Sequence, residues 1–401
     1  MIHCIVDLSA IAVARPKEKT MIDPDLQLLF DTLAIDSTWG RERELAEFMA
    51  EQMRSWGVDD VELVESMPGR PSVGGRIRGT GGGKSLILNG HLDIYETSPD
   101  WTKDPFRPEI ENGRIYGAGI ADMKAATTAA LAVMRRIASS GDRPSGDVIF
   151  QGVSCHFEGG VGTRSLLEAG FTADAAVCGE PTDNTIGIVH RGAAYLKITT
   201  FGKQAHTSAK NLGLNAIETM EPILAAMREL EAVMPYTPHP ELPGGPNLNI
   251  GTIRGGTKHN QVPDRCEMTC DIRLLPSQDP YDVKLQVEQM ISSLKDIDSR
   301  IQATVEFSDH WLSGPRLPYE IDRSSDISTT VAAAVAATGT EPVYQGIQFW
   351  TDMVPLKQFG IPAVNVGPGT PPYSWADEWV ELTKYRQIID IYANAVNLWC
   401  K

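Results

Sequence analysis

The chain has 401 residues, enough for two domains with full cores. Its net charge of −16 argues against nucleic acid or an anionic membrane as partner, since both ask for basic surface. No apolar run approaches the length of a membrane span, and the six cysteines (Cys4, Cys155, Cys178, Cys266, Cys270, Cys400) show neither a C-x-x-C pair nor a disulfide spacing. Reduced thiols in a cytoplasmic protein are the expectation. Residues 1–20 lack a basic segment ahead of their apolar part, so no secretory signal is expected there. They are read as an extension without assigned function.

In chain order, residues 22–57 read as two helices with apolar positions at helical spacing. Strands follow at 61–65 and 73–79, and a Gly-rich turn leads into LILNGHLD at 86–93. An amphipathic helix ending in Gly141 comes next, then a strand at 147–155, a helical stretch at 165–170 and a buried strand ending in Gly179-Glu180. This alternation predicts an α/β fold, a mostly parallel sheet flanked by helices. From about His190 the order becomes βαββαβ, a ferredoxin-like α+β insert at 191–309 that includes a Pro-rich loop at 235–246. The chain then returns near His310 to complete the first sheet, so the expected catalytic domain is 21–190 together with 310–401.

The chemistry concentrates in residues 86–124. His91 and Asp93 follow the apolar run Leu86-Ile87-Leu88, at the carboxyl edge where open sheets bind ligands. The Asp93 carboxylate is expected to orient the His91 imidazole. Asp122 closes a second apolar approach. Taken singly, these would be a surface histidine and a helix-capping aspartate. Together, G-H-x-D, W-x-x-D-P-F and G-x-I-Y-G-x-G-x-x-D-M-K resemble the zinc-type aminoacylase/carboxypeptidase family, which includes carboxypeptidase G, acetylornithine deacetylase and succinyl-diaminopimelate desuccinylase. The resemblance runs from about Met21 to the C-terminus.

It implies a metal-binding catalytic domain with an inserted lid and dimerisation domain, and a homodimer. It also implies that His91, Asp122 and Glu180 hold a divalent metal (Zn, Mn or Co) that activates water. A cis peptide after Asp122 belongs to the same expectation. The family's second metal site is altered here. Its Glu-Glu pair aligns with His156 and Phe157, and its C-terminal histidine with Ser374. One metal per chain is therefore expected, with His156 or, one residue out of register, Glu158 as the base. Phe157, Trp350, Tyr373 and Trp375 are either core residues or the walls of a cleft for a flat group.

His206 matches the family's lid histidine, which stabilises an oxyanion across the dimer. Asn260 and Arg273 match residues that hold a substrate carboxylate, and the Gly369 loop adds a backbone donor. The expected activity is hydrolysis of a C–N bond in a small carboxylate-bearing molecule. The amide is the default. An aminohydrolase exchanging an aromatic amine for hydroxyl, as in the nitroanthranilate-processing relatives, is one alternative, and a silent binding protein that keeps the fold is the other.

Overall fold

The computed structural model describes residues 23–308, 315–370 and 376–401. The chain first lays down six strands of a large sheet: β1 (Asp60–Met67), β2 (Arg70–Ile77), β3 (Leu86–His91), β4 (Val148–Val153), β5 (Ala175–Cys178) and β6 (Ile186–His190). It crosses to a second sheet for β7 (Gly192–Phe201), β8 (Asn247–Gly255), β9 (Arg265–Leu274) and β10 (Ala303–Phe307). It then returns for β11 (Tyr319–Glu320), β12 (Tyr344–Ile347) and β13 (Ala363–Asn365). Spatial order in the large sheet is β1-β2-β4-β3-β5-β13-β6-β11, with β12 pairing β6. Its centre, β4-β3-β5-β13, is parallel, and β2 and β6 join that centre antiparallel.

Strand parity explains why these strands read as continuous apolar runs. Leu86, Leu88, Val148, Phe150, Ala175 and Val177 face one cluster, with the helices Ala125–Ser140 and Leu382–Trp399. Ile87, Ile149 and Ala176 face the other, with the helices Val161–Glu168 and Met353–Gln358. A sheet covered on both faces needs apolar residues at every position. Helix Pro24–Ala34 starts where Asp23 accepts from Asp25 N–H and Pro24 occupies the first turn.

The second sheet has the order β8-β9-β7-β10, all antiparallel, with helices Ala216–Val233 and Pro280–Ile297 between its strands. That is the βαββαβ pattern expected of the insert. Pro315–Arg316 adds a short strand against the start of β7. Strand β6 and the helices Asp326–Ala336 and Met353–Gln358 are not foreseen from the sequence, because each is short and lacks a periodic stretch long enough to declare itself. No described helix is long and apolar enough to cross a membrane.

Candidate metal centre

Three neighbouring parallel strands, β4-β3-β5, end at one edge of the large sheet, and the site is built from their last residues and the loops just beyond them. His91 is the last residue of β3 and is almost wholly buried. Gly90 before it lies against Thr127, where a Cβ would come within 2.3 Å of the hydroxyl, so glycine lets the helix close on the strand. The His91 Nδ1–H donates to the main-chain carbonyl of Asp93 at 2.8 Å. The expected carboxylate contact is thus replaced by the backbone. The Asp93 carboxylate instead accepts from the N–H groups of His156 and Phe157 at 3.3 and 3.2 Å, fixing the loop after β4. With Nδ1 donating, a neutral His91 keeps its Nε2 lone pair for the interior.

That Nε2 sits 3.1 Å from Asp122 Oδ1 and 4.0 Å from Glu180 Oε2. Asp122 lies in a turn after Gly119, and the expected cis peptide to Met123 is present. The turn is held by Glu378, the glutamate of the C-terminal segment whose histidine position is taken by Ser374. Glu378 accepts from the N–H groups of Gly119, Ala121 and Asp122 at 2.9, 2.7 and 3.1 Å. Burial, and then the Asp122 charge, push its carboxyl up to about 8 against the effect of those hydrogen bonds. Glu180 follows β5, where Gly179 N–H bonds Asn89 O. Gly367 packs so closely there that a Cβ would meet Gly179 O at 2.2 Å.

His156 joins the same group. Its ring stacks on that of His91 at 4.4 Å and 21°, and its Nε2 is 3.9 Å from Glu180 Oε1. The His156 Nδ1–H donates to Asp352 Oδ2 at 2.8 Å. Asp352 precedes the helix Met353–Gln358 in a capping position, yet its side chain does not cap. The short helix it precedes is not foreseen from the sequence, and its part goes unseen with it. One ligand atom each from His91, His156 and Glu180 lie mutually within 4.8 Å.

These residues fit a divalent cation. Glu180 Oε1 is buried without a hydrogen-bond partner, an arrangement that is costly unless something positive fills the space. The electrostatics agree. Burial alone would lower the His91 imidazole, but Asp122, Glu180 and Asp93 raise it to about 10, as a positive charge is wanted at this point. Burial holds the Glu180 carboxyl above the ordinary carboxylate range.

The cluster opens on a cavity of about 120 Å³ lined by Asp122, His156 and Glu180, by Tyr95, Phe157, Tyr195, Phe349 and Trp350, and by Arg273 and Arg316. Register explains the two guanidinium groups. Arg273 on β9 and Arg316 on its short strand both pair with Ala193 of β7, so they lie on one face, with Tyr195 two residues further along. Both stand over the Tyr195 ring, at 5.7 and 5.9 Å. Asp271 holds Arg273 through Nε and Nη2, while Arg316 Nη2 donates to Phe157 O at 2.8 Å. Arg316 is a cavity residue that sequence reasoning missed, because only the strand pairing brings it beside Arg273.

Other expected site residues fall elsewhere. Glu158 is bound by Arg70 and by Trp39 Nε1 (2.6 Å) and does not line the cavity. This removes it from the base's position: the buried Arg70–Glu42 pair draws it away. His206 and Asn260 are exposed and do not line the cavity of their own chain; Thr207 N–H, next to His206, donates to Asn260 O. His206 Nδ1 accepts from Ser208 N–H, which leaves the proton on an outward Nε2. Gly369 is buried against Ala121 and Pro181, and its carbonyl accepts from Asp183 N–H. Ser374, Tyr373, Trp375, His310 and residues 1–20 lie outside the described residues.

An α/β fold with a metal-fitting cluster at a strand edge defines a metallohydrolase-type protein. Residues 188–298 match the peptidase dimerisation domain of the M20 group, and over most of its length the chain is similar to metallohydrolases. It is similar to N-formyl-4-amino-5-aminomethyl-2-methylpyrimidine deformylase of Bacillus subtilis, 27% identical with 83% of this chain and 84% of that protein covered. Acetylornithine deacetylase of Vibrio atlanticus is 28% identical over 91% of this chain and 94% of that protein. Among solved structures, an M20 family metallo-carboxypeptidase of Sulfolobus solfataricus shares the fold with a TM-score of 0.74, at 20% identity and with 94% of this chain and 99% of that one covered.

Proposed function

We propose that the protein is a metal-dependent hydrolase that cleaves a C–N bond of a small carboxylate-bearing substrate. The observation that carries the reading is the convergence of His91, His156 and Glu180 beside a cavity that also holds Arg273 and Arg316. A divalent ion (Zn, Mn or Co), one per chain, would polarise the scissile carbonyl and acidify water there. His91, Asp122 and Glu180 hold it. Arg273, kept in place by Asp271, and Arg316 bind the substrate carboxylate, a task their planar forks suit. Of the two proton-handling groups read from the sequence, Glu158 is committed to Arg70, and His156 stands in the cluster itself.

In this reading the catalytic unit is 21–190 with 310–401, and 191–309 forms the lid through which two cytoplasmic copies pair. His206 then serves the partner's cavity as an oxyanion donor, with Asn260 beside it and the Gly369 loop below. The printed names of the relatives, a deformylase and a deacetylase, favour an amide substrate. The aromatic walls favour a second reading, an aryl-amine carboxylate whose ring lies between Tyr95, Phe157, Tyr195 and Trp350. A silent binding protein would have no use for a buried carboxylate oxygen lacking a partner.

The test is turnover of N-acyl amino acids and of aromatic amino-carboxylates after loading with Zn, Mn or Co, alongside a His91→Ala variant. Metal-dependent release of acid or ammonia that His91→Ala abolishes is expected. Turnover unaffected by a chelator would overturn the proposal.

A further inference from the structure

We infer that His156 is a metal ligand carried by Asp352, so that one divalent ion is held by two imidazoles with Glu180 and Asp122. This deepens the metal-binding half of the reading above and does not depend on which bond is cleaved.

Three observations carry it. First, the two histidines are anchored alike. Each Nδ1–H is bound by an oxygen, the Asp93 carbonyl for His91 and the Asp352 carboxylate for His156, both at 2.8 Å. A histidine fixed this way presents a basic Nε2, the arrangement that metal-bound histidines use. Second, both Nε2 atoms face one carboxylate: His91 lies 4.0 Å from Glu180 Oε2 and His156 lies 3.9 Å from Oε1. Two ligands each about 2.1 Å from a shared ion stand roughly 3.4 Å apart at a tetrahedral angle, so each of these two separations exceeds a coordinated one by about half an ångström. Third, Glu180 Oε1 is buried and has no hydrogen-bond partner.

The alternative, His156 as the proton carrier, conflicts with the same geometry. The His156 Nδ1–H is committed to Asp352 and its ring is stacked on that of His91 at 4.4 Å, so Nε2 is the one nitrogen it has left for the cluster. As ligands both rings stay neutral, and the charges of Glu180 and Asp122 balance the ion. Asp352 is then a positioning residue. It fixes the ring and raises the basicity of the nitrogen that binds.

The experiment needs no substrate. Wild type, His156→Gln and Asp352→Asn are loaded with Mn(II); coordinated imidazole nitrogens are counted by pulsed electron paramagnetic resonance, and affinity is read by chelator competition. Two imidazoles and one ion per chain are expected in wild type. His156→Gln should show one imidazole, and Asp352→Asn should keep two while losing about 10–100-fold in affinity. One imidazole in wild type, or two tightly held ions per chain, overturns the inference. Because the wild-type count decides by itself, a variant that fails to fold leaves the outcome intact. Two imidazoles in a protein that hydrolyses no C–N substrate would uphold this inference and sink the proposed reaction.

Discussion

His91 ends one central strand of the large sheet and His156 follows its neighbour, and what distinguishes them is what binds each ring. His91 leans on a backbone carbonyl, which any residue at position 93 would supply; His156 leans on Asp352, which only one side chain supplies. Replacing Asp352 should therefore be felt where replacing Asp93 would act through the loop after β4. The arginines permit a separate test. Removing a hydrogen bond to a charged group costs about 1.5–3 kcal/mol. Arg273→Ala and Arg316→Ala should each raise KM roughly ten- to hundredfold by that measure, with a smaller change in kcat. Steady-state kinetics checks this, and an unchanged KM for Arg316→Ala would exclude it from substrate binding.

At the scale of elements, the turn carrying Asp122 is held by a segment more than 250 residues away in the chain. Glu378 satisfies three N–H groups of that turn, and its loss leaves them buried without acceptors. Glu378→Ala should cost about 1–3 kcal/mol for such unmet donors, seen as a lower urea midpoint. Glu378→Gln keeps an acceptor for Ala121 and Asp122 but sets an amide N–H₂ toward Gly119, and should fall between. Metal affinity should drop in the same order. In the strands themselves, Phe150 is fully buried in the larger cluster, so Phe150→Ala should cost roughly 3–5 kcal/mol in equilibrium unfolding.

For the molecule as a whole, acid stability has an identifiable contributor. His190 donates from Nδ1 to Arg191 O, while its Nε2 is buried without a partner beside the Tyr319 and Trp350 rings. Burial, above all, lowers its imidazole to about 4. The unfolded chain binds this proton from about 6.5 downward and the folded chain refuses it until about 4. Its contribution is therefore complete above 6.5 and lost as pH falls through that window, up to roughly 3 kcal/mol. Urea titrations across pH 4–7 should show a flatter slope for His190→Phe than for wild type; equal slopes would assign the acid loss elsewhere. Assembly gives a second whole-molecule test. His206 offers an outward Nε2–H and lines no part of its own cavity. If it serves a partner copy, His91→Ala and His206→Ala should each be inactive alone and regain activity when mixed, because one cavity in the mixed dimer is intact. Mixtures that stay inactive would reject the trans role.

The order of strands and helices was legible in the chain, because a sheet covered on both faces demands continuous apolar runs and the insert demands alternation. Motif spacing also marked His91, Asp122 and Glu180, since strand ends in a parallel sheet gather at one edge. Other contacts were settled only by tertiary structure. Asp352, Glu378 and Arg316 each acquire their contact from a partner far away in sequence. Glu158, three residues from Cys155 and close to the motif, was drawn off by Arg70. Local periodicity reports which face a residue takes. Which buried charge meets which depends on how strands pair and how far loops reach, and that information lies in the packing of the whole chain.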